Sequence, residues 1–248
     1  MKKYNNFDWG WMNSPVEITV DGETQYIWHI NEDGSVVHLS EYHKLGMIEE
    51  IFEKRIYEKY FEVEFGDIVF DIGASVGPFT YSILEKKPKH VFCIEPSVKE
   101  IKTLVKNTIG YPVCIINKGI SDSNSIVDTS NMFGGETRME SIKFEDLIRN
   151  YGIEKIDFLK TDCEGGEYEI FNQKNIEFIK NSVRKIAGEW HLNTVVEKNK
   201  FKEFRDNFLI HFNHYEINSI DGVDIKWDLF NDHFLEYYNQ VIVYIYNS

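Results

Sequence analysis

The chain has 248 residues, 42% hydrophobic and 27% charged, enough to bury a sizeable core and too apolar for a disordered chain. Lys and Arg total 27 against 41 Asp and Glu, a formal net charge of −14, so electrostatics gives no help in approaching a phosphate backbone. Nucleic acid and membrane surfaces are therefore not expected as main partners. The first residues lack the apolar run of a signal peptide, and no stretch nears the ~18 apolar residues of a bilayer span. Cys93, Cys114 and Cys163 are far apart with no C-x-x-C, which points to a reducing, cytoplasmic compartment.

Residues 1–62 read as an aromatic-rich N-terminal extension and 63–248 as the main domain. In the extension, Asp21-Gly22 and Asp33-Gly34 interrupt runs such as Val16–Val20 and Tyr26–Ile30, which predicts small antiparallel hairpins. Residues 41–61 are expected to be helical, since Ile48, Ile51, Phe52 and Ile56 recur at helical spacing. Packing against the main domain is the plainest role for this segment. A substrate lid or a homodimer contact is also compatible, and Trp9 and Trp11 suit stacking on a sugar ring.

From Phe65 onward strands alternate with helices. Strands are expected at 68–72, 91–94, 113–116, 156–160 and 183–190, with two more near 213–219 and 241–245. A helix with proline in its first turn covers 78–87, and capping boxes at Ser97/Glu100 and Thr194/Glu197 open two others. Phe144, Leu147, Ile148 and Tyr151 line a helix stopped by Gly152, and a short helix surrounds 168–171. The polar, Gly-containing stretch 121–138 reads as an irregular excursion. Such alternation implies an α/β protein with a mostly parallel sheet covered on both faces, whose ligand site lies beyond the carboxyl ends of the strands.

Four motifs fall at that edge. Asp71-Ile72-Gly73-Ala74-Ser75-Val76-Gly77 joins the first strand to its helix, with small residues where the backbone must turn tightly. Glu95, ahead of Pro96, ends the second strand 22 positions after Gly73, the distance at which an acid typically holds ribose hydroxyls. Lys160-Thr161-Asp162-Cys163-Glu164-Gly165-Gly166-Glu167 follows the fourth strand. If its start stays extended, Asp162 and Glu164 point to one side. Glu189-Trp190-His191 ends the fifth strand, with Glu189 and His191 on a shared face.

These motifs together resemble the FkbM family of methyltransferases, which are class I, Rossmann-like and S-adenosylmethionine-dependent. The resemblance spans roughly residues 63–210, and the Lys-x-Asp-x-Glu-Gly-x-Glu string is its specific part. It implies a seven-stranded sheet and O-methylation of a hydroxyl on a sugar, glycan or natural product. It also implies a cofactor site of Asp71, Gly73, Ala74, Ser75, Gly77, Glu95, Pro96 and Asp162, with Ser121 and Asp122 flanking the adenine. Asp162, Glu164 and His191 would face the reacting end. Ser75 stands where the family often has Asn.

A hydroxyl must lose its proton as it attacks, and His191 is the favoured base because an imidazole titrates near neutrality. Asp162 and Glu164 would orient the hydroxyl. A divalent metal is possible but not favoured, since two carboxylates lack a third clear ligand. The competing expectations are an NAD(P)-dependent Rossmann oxidoreductase and a non-catalytic cofactor-binding module of the same fold.

Overall fold

The computed structural model describes residues 49–128, 138–231 and 233–247, together with the backbone of three N-terminal strands. Those strands are β1 (Val16–Val20), β2 (Glu23–Ile30) and β3 (Val36–Leu39), paired antiparallel in the order β1-β2-β3. The hairpin expectation is met in the ladders. The turn residues Asp21-Gly22 and Asp33-Gly34, and Trp9 and Trp11, lie outside the described residues.

The helix expected over 41–61 is not continuous where described. A π-type turn at Glu49–Glu53 and a 3-10 turn at Ile56–Glu58 are separated by Arg55, whose φ of 48° breaks the ladder. Arg55 pairs with Glu58 at 3.0 Å and with Glu62 at 3.4 Å. The break turns Ile56 and Tyr57 inward, where both are buried.

The main domain runs β4 (Ile68–Ile72), α1 (Pro78–Ile83), β5 (His90–Ile94), α2 (Val98–Thr108), β6 (Val113–Ile116), β7 (Gly119–Ile120), β8 (Ile126–Asp128), β9 (Arg138–Ile142), α3 (Phe144–Asn150) and β10 (Ile156–Thr161). It continues with α4 (Glu167–Ile170), α5 (Ile176–Ser182), β11 (Val183–His191), α6 (Val195–Asn207), β12 (Tyr215–Ser219), α7 (Phe234–Tyr237) and β13 (Gln240–Tyr246). The excursion at 121–138 contains β8, which pairs with β9 through Ile126–Asp128 against Arg138–Glu140. The Ser141 hydroxyl donates to Ser123 O at 2.8 Å beside this edge ladder, and residues 129–137 lie outside the described residues. Helix α5 was not anticipated, because its pattern runs on from the short helix before it.

Seven strands form one sheet in the order β12-β13-β11-β10-β4-β5-β6. Strand β13 is antiparallel to both neighbours, and every other pair is parallel. The period of two splits the strand residues between two cores. Phe70, Ile72, Leu159 and Ile186 face Leu147, Ile170, Ile179 and Phe204 from helices α3 to α6. Val69, Phe158 and Ala187 face Phe79 and Leu104 from α1 and α2, with Tyr57 from the N-terminal segment. Helices thus cover both faces, as expected. The chain builds β5 and β6 on one side of β4, then returns to lay β10 on the other. The reversal opens a crevice at the carboxyl ends of β4 and β10, where an open α/β sheet binds its ligand.

Candidate functional site

Gly73 has φ +75°, and a Cβ there would lie 1.7 Å from Asp162 O. Only glycine lets β4 leave the sheet this close to the loop after β10. The Asp162 N–H donates to Ile72 O at 2.9 Å, so the two motifs join through the backbone. Ser75 adopts φ 51°, the left-handed region that Asn and Gly tolerate best. Gly77, at φ +82°, precedes α1, and a Cβ there would meet Leu104 Cδ1 at 2.4 Å. Ala74 is buried beside them.

Asp71 is fully buried beneath this turn. Its Oδ2 accepts from the Thr80 hydroxyl at 2.7 Å, and its Oδ1 lies 3.1 Å from Lys160 Nζ, the cross-strand neighbour on β10. Lys160 also donates to Gly73 O at 2.8 Å and sits 5.2 Å from the Tyr57 ring centroid. Asp71 therefore braces the turn from below.

Glu95 ends β5 at the same rim. Its carboxylate accepts from Ser75 N at 2.8 Å and from Ser97 N at 2.7 Å. Ser97 in turn accepts from Glu100 N at 3.2 Å, so the expected box gives its hydroxyl half to the helix while its own N–H goes to Glu95. Burial pushes the Glu95 carboxyl up to about 7 against the pull of those two amides. Asn117 donates to Glu95 O and Pro96 O at 3.0 and 2.8 Å, fixing the loop. A Cβ on Gly119 would approach Pro96 at 3.5 Å, and one on Gly166 would lie 3.3 Å from Ile120 O. Ser121, half-buried, and Asp122, exposed, follow directly and share a hydrogen bond of 3.3 Å. The cofactor residues predicted from sequence thus gather along the carboxyl ends of β4, β5 and β7.

The loop after β10 is not extended. Glu164 takes φ 53° and Gly165 φ 95°, and the buried Glu167 carboxylate clamps the turn by accepting from Cys163 N at 2.7 Å and Gly165 N at 2.8 Å. The reason given for Asp162 and Glu164 sharing a side is therefore replaced: the turn, not an extended strand, carries Glu164 Oε2 to within 3.5 Å of His191 Nε2. Glu164 remains exposed, whereas His191 is buried.

Around His191 the carboxylates crowd. Glu189 Oε1 lies 3.6 Å from Nε2, and Glu167 Oε1 lies 3.9 Å from Nδ1. Burial alone would lower the imidazole's titration range, but Glu167, Glu164, Asp162 and Glu189 together raise it above the ordinary value. Burial, helped by Asp162, pushes Glu189 up to about 8. Tyr57 donates its hydroxyl to Asp162 Oδ2 at 3.1 Å. Glu189, Tyr57, Lys160 and Glu167 are the site residues that sequence reasoning left without a role. Glu189 and Glu167 stood inside quoted motifs, and Lys160 had a signal as a lysine in an apolar strand. Tyr57 had none, because its contact spans 105 positions.

A cavity of about 550 Å³ opens further along the same rim. Ser219, Asp221, Tyr237, Tyr238, Asn239 and Gln240 line it, and Gln240 is the cross-strand partner of His191. The lining carries one acid and no base.

A seven-stranded sheet with one antiparallel strand, an acid-glycine turn at its reversal point and an acid ending the next strand define a Rossmann-like methyltransferase fold. Residues 71–220 match the methyltransferase FkbM domain, more than half of the chain, and the protein belongs to that family. This assignment sets the nicotinamide oxidoreductase reading aside. Among solved structures, the fibrillarin pre-rRNA processing protein of Methanococcus jannaschii is 14% identical, with 96% of this chain and 100% of that chain covered and a TM-score of 0.50. The fibrillarin/Nop5p complex is 12% identical, with 94% and 97% covered and a TM-score of 0.52. These likenesses concern the fold. No curated protein matches the chain by sequence. Among the described residues, no helix is long and apolar enough to cross a membrane.

Proposed function

We propose that the protein is an S-adenosylmethionine-dependent O-methyltransferase acting on a neutral, hydroxyl-bearing acceptor such as a sugar, glycan or natural product. The observation that carries this reading is the convergence of Asp162, Glu189 and His191 beside the Gly73 turn. The residues present fit an adenosyl group. A carboxylate offers roughly four acceptor sites, and among the described residues the Glu95 carboxylate receives only the Ser75 and Ser97 amides. It is also desolvated, so donors from a ribose diol complete it. When bound, the cofactor supplies an electrophilic methyl whose transfer to oxygen leaves a neutral thioether.

The chain's own residues supply alignment and a destination for the proton. Proximity and orientation account for ~7–11 kcal/mol of barrier lowering in such reactions. Asp71 and Lys160 hold the Gly73 turn, and Glu167 holds the loop that presents Asp162 and Glu164. Asp162, Glu164 and His191 receive the acceptor hydroxyl, and its proton passes into this group. The cavity beside Gln240 accommodates the rest of the acceptor. With two tyrosines, two amides and no base in its lining, it suits uncharged polar surface better than phosphate. The three cysteines are free, in keeping with a cytoplasmic setting.

The test is methyl uptake from S-adenosylmethionine across a panel of neutral glycans, nucleotide-sugars and hydroxylated natural products, read by mass spectrometry. His191→Ala is expected to keep cofactor affinity and lose turnover, while Glu95→Ala loses affinity by calorimetry. Methyl uptake on nitrogen or carbon, or unchanged affinity in the Glu95 variant, refutes the assignment.

A further inference from the structure

We propose that Asp162, Glu189 and His191 bind one divalent metal ion. One ligand atom from each lies within 4.8 Å of the others. The sheet register produces this grouping. Thr161 pairs with Gly188, which sets Asp162 level with Glu189, and the period of two returns His191 to the same face.

Acids gathered at a sheet edge do not by themselves make a site. The distinguishing feature is unmet bonding capacity in buried groups. The Glu189 side chain is only 9% exposed and makes no hydrogen bond among the described residues; the nearest cationic atom is His191 Nε2 at 3.6 Å. The His191 side chain is 4% exposed; its Nε2 faces Glu164 at 3.5 Å and Glu189 at 3.6 Å, while its Nδ1, toward Glu167, has no hydrogen-bond partner among the described residues. Buried polar atoms are nearly always paired. Glu189 and His191 Nε2 thus face each other at 3.6 Å, too far apart for a hydrogen bond between them.

A group that would satisfy a carboxylate and an imidazole lone pair together is a metal ion rather than a sulfonium. The surroundings agree. Lys160, the buried lysine nearest the group among the described residues, makes its direct contacts to Asp71 and Gly73 O instead. Glu167 is committed to loop amides. Tyr57 holds one oxygen of Asp162, orienting the other. Glu164, on the open side, offers a further oxygen. One nitrogen with two carboxylates suits Mn²⁺ or Zn²⁺ better than Ca²⁺. The role of the ion rests on the methyltransferase reading: it would meet the acceptor hydroxyl and lower its pKa. The site itself does not depend on that reading.

Calorimetric titration of the full chain with MnCl2 alone tests it, with pulsed EPR of the bound ion. The expected result is one Mn²⁺ per chain with nitrogen coupling from the imidazole, at least about tenfold weaker in Glu189→Gln and Asp162→Asn. The coupling is read on the unaltered protein and needs no variant to fold. Absence of saturable binding, absence of nitrogen coupling, or full affinity in both folded variants overturns the proposal. S-adenosylhomocysteine titrated into the same samples separates the two readings. Nucleoside binding without ion binding removes the metal site alone, and ion binding without nucleoside binding removes the methyltransferase assignment alone.

Discussion

Burial gives Glu95 its character, and pH exposes it. The carboxyl titrates at about 7 in the fold against 4.5 for a free group. Between those values the folded chain keeps a proton that the unfolded chain has released. The group's contribution to stability is therefore full below about 4.5 and is lost as pH rises through about 7. Donors from a ribose favour the ionised form, so affinity for S-adenosylhomocysteine rises between about pH 6 and pH 8. In Glu95→Gln the affinity falls roughly tenfold or more and the pH dependence disappears. Titration calorimetry at several pH values checks both, and a pH-independent wild-type affinity contradicts the assignment. The buried Asp71–Lys160 pair makes a second residue-scale prediction. Lys160→Met strands a buried carboxylate and costs about 3–5 kcal/mol in urea unfolding, whereas pairing it with Asp71→Asn recovers part of the loss. Gly73→Ala adds a clash with Asp162 O to a left-handed backbone and is expected to cost at least about 2 kcal/mol.

At the scale of elements, α6 joins rim to core. The Thr194 hydroxyl accepts from Glu197 N at 3.1 Å and Glu197 returns the bond to Thr194 N at 2.7 Å, completing the box expected from sequence. Thr194→Ala is expected to lower stability by about 1 kcal/mol. The same helix presents Phe204 to Trp190 at 4.9 Å between ring centroids and to Phe208 at 5.7 Å. Phe204→Ala leaves a cavity behind β11 and costs about 3–5 kcal/mol by thermal or urea unfolding. Because Trp190 sits between Glu189 and His191, this variant also tests whether the core behind the strand positions the two side chains in front. A loss of turnover at temperatures where the variant remains folded is the expected sign.

For the whole molecule, net charge bears on a choice of partner that the fold leaves open. The fold likenesses include a pre-rRNA processing protein, but a net charge of −14 opposes a polyanion, and the cavity at the rim carries no base. Filter binding of labelled RNA at low salt is expected to show no retention by the full chain. Saturable retention that weakens with salt would favour a nucleic-acid acceptor.

The alternation of the seven sheet strands with helices other than α5, the Gly73 turn, the acid at Glu95 and the position of the loop after β10 were legible in the sequence. Each depends on local rules: period, capping, turn chemistry and fixed spacing along the chain. The unbroken helix over 41–61 failed because Arg55 adopts a conformation that periodicity does not encode. The loop geometry at Glu164 failed for the same kind of reason, since buried bonds to Glu167 set it. Tertiary structure alone decided that Tyr57 reaches Asp162, that Lys160 neutralises Asp71, and that Glu189 faces His191 at 3.6 Å. Those relations arise from sheet register and from contacts between distant segments, where a side chain's charge and partner depend on what the fold brings alongside it.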